Sequence, residues 1–160
     1  VDATPFHGQF TADALFTQGR SQDALTYMRS TWGDMIDRGA TTFWEHYTRT
    51  MRPNAVPSRG ESLCHGWSAG PVYVLPAFVL GVRPLAAGYE KVLVAPQSGD
   101  LTWAEGTVPT PHGDVRVRWD KADGKLTVKV KSPRPVRVDL PDGRHELPAG
   151  EHEVTGKAEQ

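Results

Sequence analysis

Residues 115–130 read Val-Arg-Val-Arg-Trp-Asp-Lys-Ala-Asp-Gly-Lys-Leu-Thr-Val-Lys-Val. Val115, Val117 and Trp119 alternate with charged residues, and Leu126, Val128 and Val130 repeat the pattern after Asp123-Gly124. Successive side chains of a strand point to opposite faces, so this period of two gives each segment one apolar and one polar face. Asp-Gly between two such runs is a hairpin signal. The pattern extends outward to Val92 and Val94 on one side and to Val136, Val138 and Leu140 on the other, with Asp142-Gly143 as a second hairpin signal. Strands about ten residues apart, punctuated by Pro and Gly, predict an all-β antiparallel sandwich over residues 89–160. The Lys and Arg at 116, 118, 129, 131, 134 and 137 occupy the polar alternations and read as a solvated sheet face. Glu105, in Trp103-Ala104-Glu105-Gly106, reads as an outward strand charge.

Ahead of residue 88 the composition changes: all three Met (28, 35, 51) lie before it and all six Lys (91, 121, 125, 129, 131, 157) after it. Residues 1–88 carry helix signals. Phe10, Ala14 and Leu15 predict one face of a helix stopping at Gly19, and Ser21 with Asp23 opens the next. That second segment repeats Leu25, Met28, Trp32, Met35 and Ile36 at helical spacing and stops at Gly39. Residues 40–66 show neither period and read as a long loop with a short turn at 41–47; loops of this length in compact domains are usually functional. Trp67–Leu80 is apolar nearly all round, which predicts a helix buried on every side and bent at Pro76. Three such helices do not satisfy each other's burial, so this segment expects further helices around it. The fold class is therefore α+β, helices followed by a sandwich.

The chain has 160 residues and a formal net charge of −1, with 38% hydrophobic residues and one cysteine. A near-zero charge removes the electrostatic reason to propose nucleic acid or an anionic membrane as partner. No run approaches the roughly 18 apolar residues of a membrane span, and the first residues do not form a signal peptide. Localisation stays undecided between cytoplasm and secretion. One cysteine forms no internal disulfide.

Two clusters offer chemistry. In Thr41-Thr42-Phe43-Trp44-Glu45-His46-Tyr47, a carboxylate sits between aromatic residues. Desolvation raises the pKa of such a group and aromatic faces stack on sugar rings, a combination suited to acid–base work in a carbohydrate site. The alternative is an exposed glutamate on a turn whose Phe and Trp belong to the core. In Glu61-Ser62-Leu63-Cys64-His65-Gly66-Trp67-Ser68, adjacent Cys64 and His65 point apart and do not make a thiol–imidazole dyad. Zinc through Glu61, Cys64 and His65 matches no common ligand spacing, so neither metal nor cofactor is expected. His65 before Gly66, with Ser68 as a helix cap, fits a polar group aimed into a pocket; a histidine bonded to the adjoining loop fits equally well.

Together these segments resemble the C-terminal portion of bacterial α-L-rhamnosidases, glycoside hydrolase family 78. The likeness is carried by Thr4-Pro5-Phe6, by Gly39 to Glu45, by Cys64 to Pro71, by Leu80-Gly81-Val82-Arg83-Pro84 and by Gly99 to Gly113. It implies that residues 1–88 are the last helices of an (α/α)6 toroid and that 89–160 are the β-sandwich following it. It also implies an inverting glycosidase acting on terminal α-L-rhamnosides, with Glu45 as general base and His65 contacting the sugar. Trp44 and Trp67 become candidate wall residues. The general acid lies in an earlier part of the family's toroid, so the resemblance implies a fragment, inactive alone, whose partners are a rhamnose-containing glycoside and the N-terminal remainder or a complementing chain. A non-catalytic rhamnose-binding or structural remnant is the alternative. Loop residues Arg49, Arg52, Asn54 and Arg59 read as solvated, or as an acceptor-side rim.

Overall fold

The computed structural model describes residues 4–46 and 62–159. It divides into two compact units between Val74 and Leu75.

The first unit opens with α1 (Pro5–Thr17), whose first residue is a proline. Proline suits that position because its missing N–H would have no helical partner there. Gly19 ends this helix at φ +70, its N–H reaching the Phe16 carbonyl while Arg20 N–H reaches that of Leu15. Gly39 repeats the device at φ +85, with bonds to Ile36 and from Ala40 to Met35. Both stops fall where the sequence sets them, because only glycine adopts this left-handed conformation without a Cβ clash. Between them run α2 (Ser21–Met28), a π turn (Arg29–Gly33) and α3 (Asp34–Asp37). Leu25, Met28, Trp32 and Met35 are buried as their spacing predicts, whereas Ile36 is exposed. In α1 the expected face is wrong: Gly8, Ala12 and Phe16 are buried and Phe10 is 55% exposed. Gln9, next to buried Gly8, is where a neighbouring helix comes close. The neighbour is α4 (Gly70–Val74): a Cβ on Gly70 would lie 2.8 Å from Cβ of Gln9.

The helical run continues as a π turn (Leu75–Val79) around Pro76, whose missing N–H cannot close an α-type bond. Burial on every side is not observed. Val74, Ala77, Phe78, Val79 and Leu80 are buried, but Val72 is 66% and Tyr73 52% exposed. Ser68 does not cap the run either; its Oγ is buried without a hydrogen-bond partner among the described residues.

The second unit is a two-sheet sandwich. One sheet has the order β1 (Val82–Pro84), β2 (Val92–Val94), β6 (Val136–Leu140), β7 (Gly143–Leu147). The other runs β3 (Trp103–Thr110), β4 (Gly113–Ala122), β5 (Lys125–Ser132), β8 (Gly150–Lys157). The ladders are antiparallel except β2 with β6, which is parallel. The β4–β5 hairpin closes on Asp123-Gly124, both at positive φ as a two-residue turn of right-handed twist requires. Val115, Val117, Trp119, Leu126, Val128 and Val130 are buried, matching the alternation of the opening stretch. Trp119 is fully buried, and its indole N–H donates to the Val79 carbonyl at 2.8 Å, giving an orphan acceptor at the helical end a partner. Because β1 pairs with β2, the second unit includes residues ahead of the compositional change at 88.

Gly81 (φ +85) joins the π turn to β1, and a Cβ there would lie 2.4 Å from the backbone of Ala95 and Pro96. Gly81→Ala should cost at least about 1–2 kcal/mol for the left-handed conformation alone, with the clash added, and calorimetry should show Tm falling by about 5 °C or more. Trp119→Phe keeps the ring but orphans the Val79 carbonyl, and should destabilise by about 1–3 kcal/mol in urea titrations.

Candidate active site

Glu45 lies in an irregular segment of the first unit that pairs with another far along the chain. Glu45 N–H donates to the Ser62 carbonyl at 2.9 Å, and Ser62 N–H returns a bond to Glu45 Oε2 at 3.0 Å. His65 N–H donates to the Phe43 carbonyl at 2.8 Å, and Thr42 Oγ1 donates to the Leu63 carbonyl. These four bonds join residues 42–45 to 62–65 and bring Glu45 and His65 to one place. A second support fixes the far side: Trp32, buried on its π turn, donates its indole N–H to the Ser68 carbonyl at 2.8 Å. That bond holds the short 3-10 turn Gly66–Ser68, which presents Trp67.

The result is a cavity of about 340 Å³ lined by Thr4, Phe6, His7, Glu45, His46, His65 and Trp67. Phe6 and Trp67 form its aromatic side, ring centroids 5.1 Å apart, and His65 meets Trp67 edge-on at 6.2 Å. His7 is hydrogen-bonded through Nδ1 to Thr4 Oγ1 at 3.0 Å, and His46 Nε2 lies 3.8 Å from Glu45 Oε1. Of the residues singled out in the sequence, Glu45, His65 and Trp67 come together here. Trp44 does not join them; it is 6% exposed, within the core. Thr4, Phe6, His7 and His46 line the cavity without having been assigned a role. Cys64 is exposed, and Tyr47, Glu61 and the loop arginines lie outside the described residues.

The electrostatics of Glu45 reverse the expectation drawn from its aromatic neighbours. Its pKa is lowered, chiefly because the Ser62 N–H bonds the carboxylate; partial burial pushes the other way, and the His65 and His46 imidazoles lower it further. A carboxylate held this way is ionised at neutral pH and accepts protons. Since the folded value lies below the unfolded one, this group stabilises the fold above the ordinary glutamate pKa, and the contribution is lost as pH falls through the folded value. Carbon-detected NMR of the Glu45 carboxyl should give a midpoint below the ordinary glutamate value. Ser62→Pro, which removes the N–H, should raise that midpoint, whereas Ser62→Ala should leave it in place.

Residues 81–155 match the family model of the bacterial alpha-L-rhamnosidase C-terminal domain. An α-L-rhamnosidase of Alteromonas sp. strain LOR is 28% identical over 116 residues, covering 71% of this chain and 13% of that protein. One from Formosa agariphila is 31% identical over 104 residues, covering 64% and 11% respectively. Among solved structures, the GH78 family rhamnosidase of Bacillus sp. GL1 is 39% identical with a TM-score of 0.75, over 87% of this chain and 15% of that one. The Streptomyces avermitilis α-L-rhamnosidase, solved with L-rhamnose, is 25% identical with a TM-score of 0.70, over 80% and 15%. A few helices followed by a β-sandwich is thus a fold shared with parts of solved rhamnosidase structures. The chain is similar to the C-terminal portion of the α-L-rhamnosidases and spans a small part of the length of each relative it matches.

Proposed function

We propose that this chain is the C-terminal part of an inverting α-L-rhamnosidase, and that the cavity at Glu45 forms one side of its catalytic centre. In this reading the helices ahead of β1 close the helical toroid, and the sandwich from β1 onward is the domain that follows it in the chain. The Glu45 carboxylate takes a proton from water while the water oxygen attacks the anomeric carbon opposite the leaving group. The glycosidic C–O bond breaks as the leaving oxygen takes a proton from an acid outside this chain, and the sugar leaves with inverted configuration. His65 contacts a sugar hydroxyl and Trp67, with Phe6, forms the apolar wall against the ring. Trp44 anchors the Glu45 segment rather than touching the sugar.

The observation that supports this most is geometric: the Glu45 carboxylate, fixed by the Ser62 N–H, faces an aromatic, imidazole-lined cavity. A base needs its carboxylate ionised at working pH, whereas an acid needs the opposite environment. Among the described residues, Glu45 is the one carboxylate lining the cavity, in keeping with an acid supplied from elsewhere.

The test is hydrolysis of an aryl α-L-rhamnoside by this chain joined to the remainder that carries the acid, with NMR of the first-formed anomer. Wild type should release the inverted sugar, and Glu45→Gln should lower kcat about 10²–10⁴-fold while leaving rhamnose binding nearly intact. Full activity in Glu45→Gln would remove Glu45 from the mechanism. Calorimetric binding of L-rhamnose without turnover in any such assembly would favour a non-catalytic rhamnose-binding remnant instead.

A further inference from the structure

The outward face of the sheet β3-β4-β5-β8 carries a charge arrangement that folding alone does not favour. Arg116 stands directly opposite Lys131, and Arg118 directly opposite Lys129. Like charges facing one another on adjacent strands are destabilising, yet here two such pairs lie side by side in the middle of a sheet. The edges partly compensate: Lys129 lies 3.5 Å from Glu153, Lys131 is 3.5 Å from Glu151, and Arg118 bonds Glu105 at 2.9 Å. Arg116 is different, for its neighbour on β3 is Thr107 and no carboxylate pairs with it among the described residues.

Arg118 is also held in a fixed pose. Its Nε and Nη2 grip both oxygens of Asp120 at 2.9 and 2.7 Å, and the guanidinium lies over the Trp103 ring, 5.4 Å from its centroid. Trp103 remains 58% exposed. Arg116, Arg118, Lys129 and Lys131 line a single recess of about 400 Å³, within the range of small-molecule sites, where they outnumber the carboxylates of Glu105 and Glu151. The face thus combines a cation without an acidic partner among the described residues, exposed lysines held only loosely, and, outside the recess, an exposed aromatic ring next to Arg118. Cations of this kind bind carboxylates, and an exposed tryptophan stacks on the apolar side of a pyranose.

We propose that this face binds a uronate-bearing glycan, its carboxylates on Arg116 and Lys131 and one sugar ring against Trp103. It uses none of the residues that line the cavity at Glu45 and does not depend on the catalytic reading of that cavity. The test is calorimetric titration of the chain with a galacturonate trimer, with the uncharged galactose trimer and inorganic sulfate in parallel, at low and high salt. The galacturonate trimer should bind and weaken as salt rises. Arg116→Ala/Lys131→Ala should lower its affinity by about tenfold or more. Trp103→Ala should weaken the trimer but not sulfate, while Lys125→Ala, at the hairpin end, should change nothing. All four side chains are solvent-facing, and circular dichroism of each variant should match wild type. Equal binding of the galactose trimer, no binding of either trimer, affinity unchanged in the double variant, or equally tight binding of DNA would each overturn the proposal.

Discussion

Glu45 and Ser62, seventeen positions apart in sequence, exchange two hydrogen bonds, one from each backbone N–H, and on that exchange the cavity depends. The bond from Ser62 sets both the position of the Glu45 carboxylate and its protonation state, because the same N–H that fixes Oε2 also lowers its pKa. A side chain held by a main-chain donor is less free than one held by another side chain, since the donor has no rotamers of its own. The Phe43–His65 bond two residues away continues the exchange and brings His65 to the same cavity as Glu45. Trp32 then ties the following turn to the helical layer. Catalytic geometry requires supporting contacts of this kind, because small displacements of a reacting group are costly.

Both units use the same device to join irregular backbone to a core. In the first, the indole of Trp32 takes the Ser68 carbonyl; in the second, that of Trp119 takes the Val79 carbonyl. In each case a large apolar ring is buried while its one polar group is satisfied by a carbonyl at a helical end, where no helical N–H is available. Tryptophan fills a core position and supplies a donor in a single residue. Phenylalanine would fill much of the same space but leave the carbonyl bare.

The strands were legible because a half-buried sheet writes its period into the sequence, and Val115 to Val130 obey it residue by residue. The two helix stops were legible for an equally local reason, the left-handed glycines at 19 and 39. What sequence did not disclose was set by distant neighbours. Phe10 reads as a core residue, yet the buried side of α1 carries Gly8, Ala12 and Phe16, and Val72 and Tyr73 are apolar yet exposed. In the cavity, Glu45 and His65 stood out by resemblance to a known family, whereas Phe6, His7 and His46 had no local pattern. Only Thr4-Pro5-Phe6 offered a signal, and it carried no assignment. The sign of the Glu45 pKa shift was hidden most fully, because nothing in the local sequence shows that a backbone N–H from Ser62 will reach it.

The parallel ladder between β2 and β6 has a consequence for how the sandwich is made. A hairpin such as β4–β5, closed by a two-residue turn, forms locally within about 1–10 μs. Its sheet still lacks β8, and the other sheet cannot exist in order β1-β2-β6-β7 until β2 at residues 92–94 finds β6 at 136–140, with three strands of the opposite sheet lying between them in the chain. Loop-closure entropy must be spent before that pairing returns anything. During biosynthesis Val92 and Val94 therefore wait, unpaired on that side, until the ribosome has delivered the chain past Leu140, and a polypeptide ending earlier leaves the first two strands with an open, adhesive edge.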